Sequence, residues 1–245
     1  MNNQTITNSG IRFNGQHSYD NFGFWFSKAP NLGMPSKVKN EKRATLSNYT
    51  FDFSALYGHQ VFTDRTLEFY FQIFEPKVHD ASEIQFRKTQ AINWLMSTTG
   101  RQRLTVDILP GFYFMAEVVN APNFVFNDKK GELTVPFIAY PFMIDEIPEY
   151  QNIYWDDFRF AIDVLQEYKY NVSGSKEINI INAGTSHIIP TIDSTGDCTI
   201  LLRGDVIEIQ SGTRSYNDLV LEPGDNIMVV TGNTTIEYQY NKELI

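Results

Sequence analysis

Thr199-Ile-Leu-Leu-Arg-Gly-Asp-Val-Ile-Glu-Ile-Gln210 is the stretch that decides the fold class. Two short apolar runs, Thr199–Leu202 and Val206–Gln210, flank Arg203-Gly204-Asp205, and the glycine supplies the dihedrals that a tight reversal needs. Neither run is long enough for a helix, and both are rich in β-branched residues and leucine, so the stretch reads as two strands joined by a turn. The same pattern extends both ways. Phe158–Leu165, Ile178–Ile181, Ile188–Ile192, Asp218–Leu221, Ile227–Val230 and Thr235–Tyr240 read as further short strands. Asn182-Ala-Gly, Ser194-Thr-Gly, Pro223-Gly-Asp-Asn and Gly232-Asn read as the turns between them. Even spacing of short strands with Gly and Pro turns implies a β-sandwich. Pro190 lacks an amide proton and is expected at an edge or a bulge.

Upstream, Tyr140-Pro-Phe-Met-Ile-Asp-Glu-Ile-Pro148 carries two prolines and marks a domain boundary, giving domains 1–140 and 141–245. Charge changes at the same place. Residues 1–140 carry a net of +2 and residues 141–245 a net of -11, within a total of -9. The first domain also reads as mainly β. Ile11-Arg-Phe-Asn-Gly is a strand entering an Asn-Gly hairpin turn, and Phe22–Phe26 is strongly apolar. Between Arg65 and Phe74, polar residues alternate with Leu67, Phe69, Phe71 and Ile73, which predicts a long strand with one buried face. Leu104–Leu109, Phe112–Val119, Phe124–Phe126 and Leu133–Tyr140 follow, with turns at Pro110-Gly111 and Asp128-Lys-Lys-Gly131. One helix is expected after an N-cap at Ser82, with Ile84, Ala91, Ile92 and Leu95 on one stripe and a stop at Gly100. Pro30–Asn40 gathers Pro, Gly, Asn and Lys and opens an exposed excursion reaching Tyr57.

The chemistry expected of an enzyme is missing from the pattern. His17, His59, His79 and His187 are scattered without metal-ligand spacing, and no nucleophile elbow, phosphate loop or dinucleotide fingerprint occurs. Cys198 follows Asp197, whose charge disfavours a thiolate, so the single cysteine reads as a buried spectator. Asp156-Asp157 reads as a solvated face and Asp193-Ser-Thr-Gly-Asp197 as an Asx-type turn short of calcium ligands. Arg203-Gly204-Asp205 spells an integrin-binding tripeptide but reads as a strand reversal. The expectation is a non-enzyme with no cofactor and no metal. Net negative charge disfavours nucleic acid. No apolar run reaches the length of a membrane helix, and the first residues lack a secretion signal, so the sequon-like sites at Asn3, Asn48, Asn171 and Asn233 read as chance matches.

Read in order, the chain resembles the distal tail proteins of siphophages that infect Gram-positive hosts. Phe13-Asn-Gly followed by Asp20-Asn-Phe-Gly23, the stretch Pro35–Asp52, Asp64-Arg-Thr-Leu-Glu-Phe69 and Val135-Pro-Phe-Ile-Ala-Tyr-Pro-Phe142 are similar to the family's first domain. Ile181-Asn-Ala-Gly-Thr185, Pro190-Thr-Ile192 and Leu219-Val-Leu-Glu-Pro-Gly-Asp-Asn226, followed by Tyr238, resemble its galectin-like domain. Lys39-Asn-Glu-Lys-Arg43 departs from relatives that carry a glycine turn there. The resemblance implies a mainly β protein: an N-terminal β-sandwich-like ring domain with one helix and a belt excursion at about residues 30–57, then a C-terminal galectin-like β-sandwich. It implies a structural virion protein of the tail tip or baseplate, assembled in the bacterial host cytoplasm as a homo-hexamer ring, stacked in pairs when isolated. Its partners would be the tail tube protein, the tail-associated protein and receptor-binding or baseplate proteins, with no nucleic acid and no membrane. Pro35, Lys37, Lys39, Lys42, Arg43, Tyr49 and Phe51 become candidate ring contacts. A carbohydrate-binding accessory protein that recognises host cell-wall polysaccharide is the alternative, and a hydrolase with an unrecognised site is a more distant one.

Overall fold

The computed structural model describes residues 9–54, 56, 58–73, 81–127, 130–151 and 155–245. The chain is mainly β, built on curled antiparallel sheets. It divides into two compact units, Met1–Met143 with Ile245, and Ile144–Leu244.

The first unit begins with a tight hairpin. β1 (Ile11–Phe13) and β2 (Gln16–His17) pair across Asn14 and Gly15, both at positive φ, as the Asn-Gly signal anticipates. A one-turn helix α1 (Ser18–Phe22) then ends at Gly23, and β3 (Phe24–Phe26) uses the rest of the apolar run read at Phe22–Phe26. β4 (Asn31–Leu32), β5 (Glu41–Arg43) and β6 (Thr50–Asp52) punctuate the excursion before the long strand β7 (Arg65–Ile73). In β7 the odd-numbered residues are buried throughout and the even-numbered ones face outward, as the alternation requires.

α2 (Ala81–Met96) is the expected helix, but it starts at Ala81, so Ser82 lies inside its first turn rather than capping it. Its buried stripe is Ile84, Ala91, Trp94 and Leu95, with Ile92 only half-buried. Trp94 belongs to the core because its indole N–H finds the Phe13 carbonyl at 2.9 Å, which offsets the cost of burying it. β8 (Gln102–Val106), β9 (Phe112–Glu117), β10 (Asn123–Asn127) and β11 (Lys130–Ala139) complete the unit. The strand order is β2-β1-β8-β9-β11-β7-β3, with β10 pairing β11. The turn at Asp128-Lys129 lies outside the described residues. The core is aromatic: Phe13, Phe24, Phe26, Phe69, Phe71, Phe114 and Phe137 are all buried, in edge-on and stacked contacts such as Phe13–Phe137 at 5.1 Å. Each such ring contributes roughly 1.5–3 kcal/mol through burial.

β12 (Met143–Asp145) carries the division between the units. The second unit holds β13 (Lys169–Asn182), β14 (Thr191–Ser194), β15 (Cys198–Leu202), β16 (Asp205–Ile209), β17 (Gly212–Ser215), β18 (Gly224–Gln239) and β19 (Glu243–Leu244). Three sequence expectations need correction here. Phe158–Leu165 is no strand: a 3-10 turn at Trp155–Asp157 leads into irregular backbone, because its apolar residues do not alternate. Asp218–Leu221 is also irregular, with an isolated bridge from Leu221 to Ile188 and with Leu219 and Leu221 packed into the core. Gly232-Asn233 is not a turn either. It lies inside β18, which pairs with β13 along all of that strand. Gly232 faces Gly174 on one side and Cys198 on the other, and a Cβ there would lie 2.8 Å from Cys198 Cβ. Glycine therefore permits close strand approach where the sequence suggests a reversal. β15 pairs the first half of β18 and β14 the second, both on the edge opposite β13, so the long β13–β18 pair organises the unit. Pro190 sits just before β14, where no ladder bond is lost.

Candidate assembly surface and buried charge cluster

The excursion is a hairpin rather than a loop. β5 and β6 pair as Glu41–Asp52, Lys42–Phe51 and Arg43–Thr50, in a two-stranded sheet of their own. Its root is held by a bridge between Lys37 and Phe62. Lys39 Nζ bonds Asp52 Oδ2 at 2.6 Å, and Arg43 Nε and Nη2 bond the Ser47 carbonyl and Asn48 Oδ1 across the tip. The Lys39 ammonium and the Ser54 contacts hold the exposed Asp52 carboxyl well below its ordinary range. All six strand residues are exposed. Tyr49 packs edge-on against Phe51 at 5.4 Å, and Phe51 stacks on Phe53 at 6.3 Å. Tyr49 nevertheless keeps 68% and Phe51 50% of its surface accessible. Leu46, Met34 and Leu56 add further exposed apolar surface. An isolated two-stranded hairpin is marginal in water, and exposed apolar side chains gathered on one hairpin mark a contact surface. Of the seven candidate contacts, Lys39, Lys42, Arg43, Tyr49 and Phe51 are brought together on this hairpin, Lys37 anchors its root, and Pro35 precedes it. Tyr57, at the end of the excursion, lies outside the described residues.

A second feature was missed by local sequence reasoning. Asp145, Glu149 and Asp163 are buried with carboxylate oxygens within 4.8 Å of one another, a spacing that would suit a metal ion. The ligand set is already neutralised from within. Lys242, completely buried, places Nζ 2.5 Å from Asp163, 2.9 Å from Glu149 and 3.5 Å from Asp145. Arg159 bonds both Asp163, at 3.0 Å, and Asp145. A lysine ammonium thus stands where a cation would bind. Burial raises the Asp163 carboxyl, but the Arg159 and Lys242 bonds outweigh it and hold it down at about 2. Burial likewise lowers Lys242, and its carboxylate partners more than restore it. Tyr168 donates to Glu149 Oε2 at 2.9 Å, with its own hydroxyl pushed up by burial and by its Tyr240 and Glu149 neighbours. Asp163 and Glu149 lie 79 and 93 positions from Lys242, so no spacing rule reveals them.

The other singled-out residues have local duties. His17 caps α1: Nδ1 accepts from the Asp20 N–H, leaving Nε2 to donate to Asp107 at 3.0 Å. His79 lies outside the described residues. Burial, with Asp197 adding to it, pushes the Cys198 thiol up and away from nucleophilic use. Asp193 lies in β14 and accepts from Thr213 on the paired β17, and Asp197 accepts from the Ser211 N–H, so each carboxylate bonds a distant segment rather than its own turn. Arg203 and Gly204 both take positive φ between paired Leu202 and Asp205, and the Arg203 guanidinium is spent on the Val220 carbonyl and Asn226. The tripeptide is a strand reversal. Asn226, buried, collects the Glu222 N–H and reaches the Ile180 carbonyl, which makes Pro223-Gly-Asp-Asn226 a specific turn. In the first unit Arg65 is buried with Nε on the Gly33 carbonyl and Nη1 without a partner. Among the described residues no helix is long and apolar enough to cross a membrane.

No family model and no curated protein matches the chain. Its fold is similar to the crystal structure of SPP1 Dit (gp 19.1), described as a paradigm of the hub adsorption apparatus in phages infecting Gram-positive bacteria. The TM-score is 0.63 at 13% identity, over 95% of this chain and 98% of that one. The likeness spans both units and establishes a shared fold.

Proposed function

We propose that this chain is a structural subunit of a phage tail tip, the distal tail ring that joins the tail tube to the adsorption apparatus of a siphophage with a Gram-positive host. The observation that carries this reading is the exposed β5–β6 hairpin, with Tyr49, Phe51 and Phe53 packed on one another yet exposed, in a chain similar in fold along its length to a tail hub protein. A hairpin that cannot cover its own apolar surface is completed by a neighbour, and identical neighbours close into a ring. A homo-hexamer, with the hairpin embracing the next copy, supplies that cover. The second unit would then be a galectin-like module, a term of fold only. Neighbouring tail-tube, tail-associated and receptor-binding or baseplate proteins would be the partners, and the virion tail tip the location. Neither role requires catalysis. Gold-labelled antibody against the purified protein should decorate the tail tips of intact particles. Labelling of the capsid, or none on particles that demonstrably contain the protein, contradicts the reading.

One observation favours a second reading, carbohydrate recognition. Exposed Trp155 and Phe160 form an aromatic cluster with half-buried Phe158, Trp155 and Phe158 stacked at 5.8 Å, beside a cavity of about 540 Å³ also lined by Tyr168, Glu167 and Glu237. Aromatic faces with nearby hydrogen-bonding groups suit a sugar ring. Saturable binding of host wall polysaccharide in calorimetry, lost in Trp155→Ala, would establish that reading, and a flat titration removes it.

A further inference from the structure

We infer that the outward face of the β16–β15–β18–β13 strands docks a protein partner whose apolar side chains are ringed by lysine or arginine. The register builds this face residue by residue. Val206 on β16 lies opposite Leu201 on β15, Leu201 opposite Val229 on β18, and Val229 opposite Glu177 on β13. Ile227, two residues before Val229, shares its side of β18. The alternate residues Ile207, Ile200, Met228 and Ile178 are buried in the unit's core, so this row points away from it. Val206 is 68% exposed, Ile227 59% and Leu201 44%. Four branched apolar side chains thus form one contiguous strip on the outside of a sheet, where polar residues are expected.

The rim of the strip carries a single sign. Glu208 on β16, Glu177 on β13 and Asp225 on β18 share the face by the same alternation, and all are exposed. The lysine that shares this parity, Lys169 at the other end of β13, lies eight residues from Glu177 and is paired with Glu237. Arg203 in the β15–β16 turn is held by the Val220 carbonyl and Asn226. An apolar centre with an acidic rim selects against itself, because two copies meeting face to face would oppose carboxylates. It selects for a partner with an apolar centre and a basic rim. This inference stands independently of the hub reading, since it needs neither a ring nor a virion.

Two fluorescent peptides test it with the full chain, Lys-Lys-Val-Thr-Ile-Thr-Val-Lys-Lys and its counterpart with Glu in place of every Lys. Anisotropy should show the Lys-flanked peptide binding at least about ten-fold more tightly at low salt, with the advantage collapsing at high salt. The variant Leu201→Thr/Val206→Thr/Ile227→Thr should lose that binding. The rim variant Glu177→Lys/Glu208→Lys, which alters only exposed side chains, should reverse the preference and decides the matter alone if the first variant misfolds. Equal binding of the two peptides, or an unchanged preference in the rim variant, overturns the inference. A fall in the chain's light-scattering mass on either substitution also overturns it, because the face would then be a contact between copies.

Discussion

Lys242 shows how much one side chain can decide in this chain. Its ammonium is the central cation among three buried carboxylates, and Arg159 reaches only two of them. Removing one partner of a buried ion network strands the rest, at a cost of about 3–5 kcal/mol. Lys242→Met should therefore lower the unfolding free energy of the second unit by that much, seen as a lower urea midpoint in tryptophan fluorescence and circular dichroism. The same cluster sets an acid limit. Asp163 is held at about 2 when folded, below its ordinary 3.8, so its pairing stabilises at neutral pH and is lost as pH falls through that interval. The contribution is about 2 kcal/mol. Lys242 is raised when folded, so its contribution is complete at neutral pH and lost only as pH climbs through its raised value. Urea midpoints measured from pH 5 to pH 2 should fall more steeply for the native chain than for Asp163→Asn. Parallel slopes would remove Asp163 from the account. None of this was legible in the sequence, because the cluster assembles from residues far apart in the chain that obey no local pattern.

At the scale of elements, legibility followed the strength of the local period. β7 was readable because strict alternation over nine residues leaves one assignment, and α2 because its apolar stripe has no strand equivalent. The Asn14-Gly15 and Arg203-Gly204 reversals were readable because a glycine between two apolar runs supplies the positive φ of a tight turn. The hairpin β5–β6 was not: each strand has three residues, all exposed, so no alternation of burial marks them. Phe158–Leu165 misled in the opposite way, since exposed aromatics that pack on one another imitate a buried strand in composition. Gly232 misled because a glycine needed for close strand approach looks identical to a turn glycine. The hairpin also carries the assembly proposal. Tyr49→Ser/Phe51→Ser removes apolar surface that no core residue covers, so the melting temperature of the isolated chain should stay within about 2 °C, surface changes being worth within about 0.5 kcal/mol. The oligomer should dissociate to smaller species in sedimentation velocity. An unchanged sedimentation coefficient would show that the hairpin faces something other than another copy.

For the whole molecule, the two units have separate aromatic and aliphatic cores, and the buried charge cluster lies wholly within the second. The change of charge near residue 140 is a signal read from composition, whereas the assembly state is a property of surfaces that no single-chain period encodes. A fragment of residues 144–245 should fold by itself, with a dispersed amide spectrum and monomeric mass, because its core is complete and its net acidity opposes self-association. A collapsed spectrum would show that the second unit depends on the first. The central claim is that identical copies close a ring through the hairpin of the first unit. Light scattering coupled to size exclusion on the full chain measures this most directly. The account predicts about six chain masses, or about twelve for stacked rings, held constant on dilution through tens of micromolar protein. A strictly monomeric mass over the same range would contradict it.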